Sequence, residues 1–153
     1  MALVIDASIA LPWFLHDERS AFTDGILSEL GQAEIWVPPL WRLELANGLL
    51  MAERRKRIDR QTRLEALELA EGMAIRVDSA PVQLREISSL AERHGLTAYD
   101  ASYLELAVRQ GFALATLDRT LAHAAAAEGV PVHSPGRGSA AEPRRRYRRE
   151  AAA

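Results

Sequence analysis

Short apolar runs alternate along this chain with longer stretches in which apolar residues recur at helical spacing. Leu3-Val4-Ile5, Ile35-Trp36-Val37, Ile75-Arg76-Val77, Phe112-Ala113-Leu114-Ala115-Thr116 and Val130-Pro131-Val132 read as strands. The first of these meets a turn at Asp6-Ala7-Ser8, and Pro131 marks the last as an edge strand because proline has no N–H for a ladder. The intervening spacing predicts helices over about Ser20–Leu30, Pro39–Arg57, Arg60–Met73, Val82–His94, Ala98–Gln110 and Arg119–Glu128. Gly31, Gly95, Gly111 and Gly129 follow four of them, the usual place for glycine past a helix end. Strands alternating with helices argue for a mainly parallel sheet covered on both faces. Arg54-Arg55-Lys56-Arg57 closes its helix with cations that suit the negative end of the helix dipole.

After His133 this periodicity stops. Residues 134–153 hold glycine, proline, serine and arginine with almost no large apolar side chain, and are expected to be a disordered basic tail behind one domain over residues 1–133. A chain of 153 residues is long enough for one domain with a real core. The net charge of −2 hides an asymmetry: the tail carries six arginines against two acids, a net +4, which leaves −6 on the rest. An acidic body holds a polyanion poorly through its own surface, so a nucleic-acid substrate would need a bridging cation.

Cysteine is absent, which excludes disulfides and thiolate metal sites, and the four histidines show no paired spacing. No apolar run reaches the roughly 20 residues of a membrane span, and the first residues lack the basic region of a signal peptide. A cytoplasmic protein, with no membrane partner, is the expectation.

Four carboxylates carry the candidate chemistry. Asp6 follows the first strand, and the carboxyl ends of parallel strands line the ligand crevice of open sheets; a turn or cap aspartate would sit there equally well. Glu44 shares a helix face with Leu40, Asn47 and Met51, where a charge needs a cation unless it snorkels to water. Asp100 falls at the third helical position after Thr97, as in a capping box, and shares its face with Leu104 and Ala107, which should pack on the sheet. Asp118 lies between a strand and a helix and is a natural N-cap. Each acid has a structural explanation alone, yet a parallel sheet can gather all four at one edge. Repelling carboxylates stay together when a cation neutralises them, and an oxygen-only set selects Mg²⁺ or Mn²⁺, the ions of phosphoryl chemistry.

Val4-Ile5-Asp6-Ala7-Ser8, the Pro39–Asn47 stretch with Glu44, Leu96-Thr97-Ala98-Tyr99-Asp100-Ala101 and Leu114-Ala115-Thr116-Leu117-Asp118 resemble, in order, the motifs of the PIN-domain family, and within it the VapC-like toxins of prokaryotic toxin–antitoxin pairs. The resemblance implies a three-layer α/β/α sandwich with a short, mainly parallel sheet, and a Mg²⁺-dependent endoribonuclease with Mn²⁺ as a substitute ion. It implies that Asp6, Glu44, Asp100 and Asp118 are the metal-binding and catalytic acids. Asp6 and Asp100 would be the chief ligands, with Ser8, Asn47 and Thr116 in support. Arg119 and Thr120 stand where some members carry a further acid. An RNA substrate, a cognate antitoxin and a homodimer follow as expected partners. Trp13, Phe14, Trp41 and the Ser20–Leu30 helix offer apolar surface for an antitoxin segment, or for the core.

An aspartyl-nucleophile phosphatase would want a second aspartate where Ser8 stands, and a dinucleotide-binding domain would want glycine in the first turn. The remaining rival is a catalytically silent RNA- or protein-binding adaptor on the same fold.

Overall fold

Apolar residues on both sides of a strand demand cover on both faces, and the sheet is built accordingly. Leu3, Val4 and Ile5 are fully buried in β1 (Ala2–Ile5). The computed structural model describes residues 1–135, so the basic tail expected from the sequence lies almost wholly outside the described residues. After β1 come α1 (Ala7–Phe14), a 3₁₀ turn at His16–Glu18, α2 (Ala21–Ser28), β2 (Glu34–Val37), α3 (Leu40–Arg54), α4 (Arg60–Glu71) and β3 (Ile75–Val77). Then follow α5 (Leu84–His94), α6 (Ala98–Gln110), β4 (Ala113–Ala115), α7 (Arg119–Ala127) and β5 (Val132–His133).

All the strands are parallel, in the order β3-β2-β1-β4-β5. Leu3 lies opposite Ile35 on one side and Ala113 on the other, which puts β1 at the centre. Helices α1 to α4 pack in one group and α5 to α7 in another, while β1 is met by both α1 and α6. This is an α/β/α sandwich with a short parallel sheet. The edge position expected for the last strand holds: β5 pairs with β4 alone, and the Pro131 carbonyl accepts from the Leu114 N–H at 2.9 Å.

One helix departs from the sequence expectation. Where the pattern reads as a turn at Asp6-Ala7-Ser8, the chain enters α1 directly. This helix has eight residues, contains Pro12 and is apolar nearly all round, so it has no helical period to see. It packs tightly on α3. The Leu11 side chain lies over Gly48, where an added Cβ would stand 2.6 Å from its tip and the leucine would have to shift. Trp41 is buried, while Trp13 and Phe14 pack half-buried against the core, with the Trp13 indole N–H donating to the Thr23 carbonyl at 2.8 Å.

Candidate active site

The parallel order brings the carboxyl ends of β2, β1 and β4 side by side, and each leads at once into a helix. Asp6 comes directly after β1; Glu44 lies in the second turn of α3, after β2; Asp118 is the N-cap of α7, after β4. Asp100 enters from the first turn of α6, which packs on β1 and β4.

Asp6 is 7% exposed, and its carboxylate caps no helix. Two hydroxyls hold it instead: Ser8 Oγ donates to Oδ1 at 2.5 Å and Thr116 Oγ1 to Oδ2 at 2.6 Å. These hydroxyls are themselves anchored, Ser8 Oγ accepting from the Leu117 N–H at 2.9 Å and Thr116 Oγ1 from the Asp118 N–H at 3.0 Å. The backbone after β4 thus clamps the acid after β1 in a fixed orientation. Burial pushes the Asp6 carboxyl up to about 7; the two hydroxyl bonds oppose this, and the carboxylates of Asp100 and Asp118 add to it. Three of the four acids therefore share one electrostatic neighbourhood.

Glu44 joins them through Asp100. It is raised above the ordinary glutamate range by burial, against a hydrogen bond from Tyr103 and with a further rise from Asp100. Tyr103 is 1% exposed and its hydroxyl donates to Glu44 Oε1 at 2.5 Å. Its phenol is held well above the usual range, first by burial and then by Glu44, so it acts as a fixed donor. Tyr103 escapes the sequence reading, although the signal exists: it lies three residues after Asp100, on the same face of α6.

The capping reading of Asp118 holds, whereas at α6 the cap is Thr97, which receives the backbone N–H of Asp100 and not its carboxylate. Thr97 Oγ1 accepts from the Asp100 N–H at 3.1 Å, and Asp118 Oδ1 accepts from the Leu121 N–H at 3.1 Å. Asn47 is exposed one turn beyond Glu44 and hydrogen-bonds to none of the four acids among the described residues.

Whether these side chains suit a divalent cation depends on donors and on geometry. The donors are hard oxygens, and no cation contributes to the shifts of Asp6 or Glu44, so the charge there lacks a positive partner. The geometry is less complete: among the described residues, no three His, Cys, Asp or Glu side chains are arranged to hold a metal ion. The four-acid ligand set expected from the sequence is gathered in one neighbourhood, but it is not a formed chelate. In this structure Asp6 is held by two hydroxyls and Glu44 by a phenol. The chemistry of the donor set fits such an ion.

A family model described as PIN domain matches residues 3–127. Ribonuclease VapC3 of Pyrobaculum aerophilum is 35% identical over 127 residues, covering 80% of this chain and 93% of that protein. Among solved structures, PAE2754 from Pyrobaculum aerophilum superposes with a TM-score of 0.67 at 26% identity, covering 86% of this chain and 89% of that one. VapBC2 from Rickettsia felis, bound to a DNA fragment from their promoter, matches with a TM-score of 0.64 at 11% identity. That match covers 88% of this chain and 98% of the other, and shows likeness of fold.

Proposed function

The chain belongs to the PIN-domain family, and from that premise we propose that it is the toxin of a toxin–antitoxin pair, an endoribonuclease dependent on Mg²⁺, with Mn²⁺ as a substitute. The observation that carries the proposal is the meeting of Asp6, Glu44, Asp100 and Asp118 at one sheet edge, where Asp100 and Asp118 both act on a buried Asp6. The 35% identity to a ribonuclease over most of the chain supports the same reading.

In this proposal Asp6 and Asp100 are the chief ligands of the ion, with Glu44 and Asp118 beside them. When bound, the ion would supply Lewis acidity, easing ionisation of water and offsetting charge on the phosphate. Ser8 and Thr116 aim the Asp6 oxygens and help keep that carboxyl ionised. Tyr103 does the same for Glu44. Asn47, exposed on the Glu44 face, would touch substrate rather than the acids. A cognate antitoxin, a homodimer and a cytoplasmic setting complete the proposal; no helix among the described residues is long and apolar enough to cross a membrane.

Sequencing of RNA 5′ ends after induction of the wild type beside Asp100→Asn tests it. New ends bearing 5′-phosphate should appear with the wild type alone. Products with 2′,3′-cyclic phosphate would mean that the ribose hydroxyl attacks, and the hydrolytic mechanism would fall. The rival reading is a silent adaptor on the same fold. Calorimetric titration with Mg²⁺ or Mn²⁺ separates the two, because binding by the wild type that is weakened in Asp6→Asn is expected only of the nuclease.

A further inference from the structure

Of the thirteen cations in residues 1–133, five fall within seven positions: Arg54, Arg55, Lys56, Arg57 and Arg60. They run from the last residue of α3 through the connecting turn to the first residue of α4. Arg57 is spent on the 3₁₀ turn, reaching Asp17 at 2.8 Å and Glu18 at 3.2 Å. The acids nearby are occupied as well: Glu53 bonds to Arg63 at 2.7 Å, and Asp59 caps α4 by accepting from the Thr62 N–H at 2.7 Å. Arg54, Lys56 and Arg60 are exposed and make no salt bridge among the described residues. A helix dipole is satisfied by a cation or two in its last turn, so it does not account for this density.

Lys56 adds a second observation. Its φ of 59° is in the left-handed region. Lys56 N–H donates to the Glu53 carbonyl at 2.8 Å and Arg57 N–H to the Ala52 carbonyl at 2.9 Å, the bond pair that ends a helix around a residue that is usually glycine. A lysine here is disfavoured relative to glycine by backbone conformation, yet it places an ammonium at the apex of the turn.

The third observation is a path. Glu44, Asn47, Met51 and Arg54 succeed one another at three- and four-residue steps on α3, so one helix face runs from the acid cluster to the basic turn. Arg54 Nη1 stands 3.9 Å from Met51 Sδ along it. At 1.5 Å per residue, Lys56 lies roughly 18 Å along the axis from Glu44. A strand whose scissile phosphate lay at the acids would have its flank within reach of this turn. The acids repel a phosphate backbone and residues 1–133 are net acidic, so attraction for RNA beyond that of a bound ion comes from side-chain cations set apart from the cleavage point.

We infer that the α3–α4 turn, through Arg54, Lys56 and Arg60, is a phosphate contact for single-stranded RNA flanking the cleavage point; this rests on the ribonuclease reading above. The turn contributes charge and no base readout, so its effect is independent of sequence and sensitive to salt. The test uses the full chain carrying Asp100→Asn, which removes cleavage, and a fluorescently labelled single-stranded RNA titrated at several salt concentrations. Adding Lys56→Gly, Arg54→Gln and Arg60→Gln together should weaken binding about tenfold or more and lower the slope of log affinity against log salt by about 2, near 0.7 per phosphate contact. Lys56→Gly alone should lower the slope by less than 1 while thermal stability stays level or rises, since glycine suits the left-handed position. Unchanged slope and affinity in the triple variant would overturn the inference and leave the ribonuclease reading intact. A fall in stability without a change in slope would also overturn it, by showing a structural role. No binding by the Asp100→Asn parent at any salt would overturn this inference and undercut the ribonuclease reading with it.

Discussion

Asp6 and Asp78 are the same residue type in nearly the same place. Each directly follows a strand of one parallel sheet, and they are 7% and 8% exposed. Their partners differ. Asp78 receives a guanidinium, Arg109 Nη2 at 2.6 Å, which also reaches Glu105, so three side chains tie the end of β3 to α6. Asp6 receives two neutral hydroxyls and faces two further carboxylates, and its carboxyl is driven up to about 7. An acid that burial and the neighbouring chain supply with a cation is a strut. A buried acid left without one is held at a cost in stability, and such costs concentrate at functional sites.

The contrast is sharpest if the two aspartates are altered alike. Asp6→Asn should reduce RNA cleavage by on the order of 10² to 10⁴-fold, as loss of a group acting at the reacting atoms does, with fluorescence and circular dichroism reporting an intact fold. Cleavage within a few fold of wild type would remove Asp6 from the machinery.

The pH dependence of stability gives the next largest effect. Asp6 stands at about 7 in the folded chain against an ordinary 3.8, so the unfolded chain loses its proton first as pH rises. This group therefore destabilises the ion-free fold progressively from about pH 4 to pH 7, by on the order of 4 kcal/mol once both states are ionised. Denaturant midpoints of ion-free protein should fall across that window, and Asp6→Asn should flatten the fall and be the more stable protein at pH 8. A wild-type profile that is flat, or that rises with pH, would contradict the assignment.

Asp78→Ala should move stability the other way. It strips Arg109 of one acid in a partly wet setting and is expected to cost about 1–3 kcal/mol by chemical denaturation while changing cleavage little. Equal loss of activity in both variants would erase the distinction between strut and site. Tyr103→Phe is the smallest perturbation: Glu44 loses its donor, and cleavage should fall about tenfold with the fold unchanged, as when an outer group stops orienting a ligand.

Much of this molecule is legible locally. Leu3-Val4-Ile5 can only be a buried strand in a folded domain, Ala98–Gln110 is found at the expected bounds, and Asp6 and Asp118 are marked by standing just past apolar runs. The α1 helix is not legible, because eight nearly all-apolar residues around Pro12 carry no period. Ser8 and Thr116 could be named from motif order, and Ser8 reaches Asp6 locally, but the Thr116 bond to Asp6 depends on β4 lying beside β1, over a hundred residues away in sequence.

Periodicity and turn chemistry thus determined most of the elements and their alternation, since these follow from side-chain spacing and local backbone preference, while the four acids stood out as a set through the order of the motifs that carry them. Only the tertiary structure decided the strand order, the Tyr103 bond to Glu44, and which buried aspartate meets an arginine. Those outcomes depend on packing between segments far apart in the chain, and on how burial and nearby charge set the energy of each carboxylate.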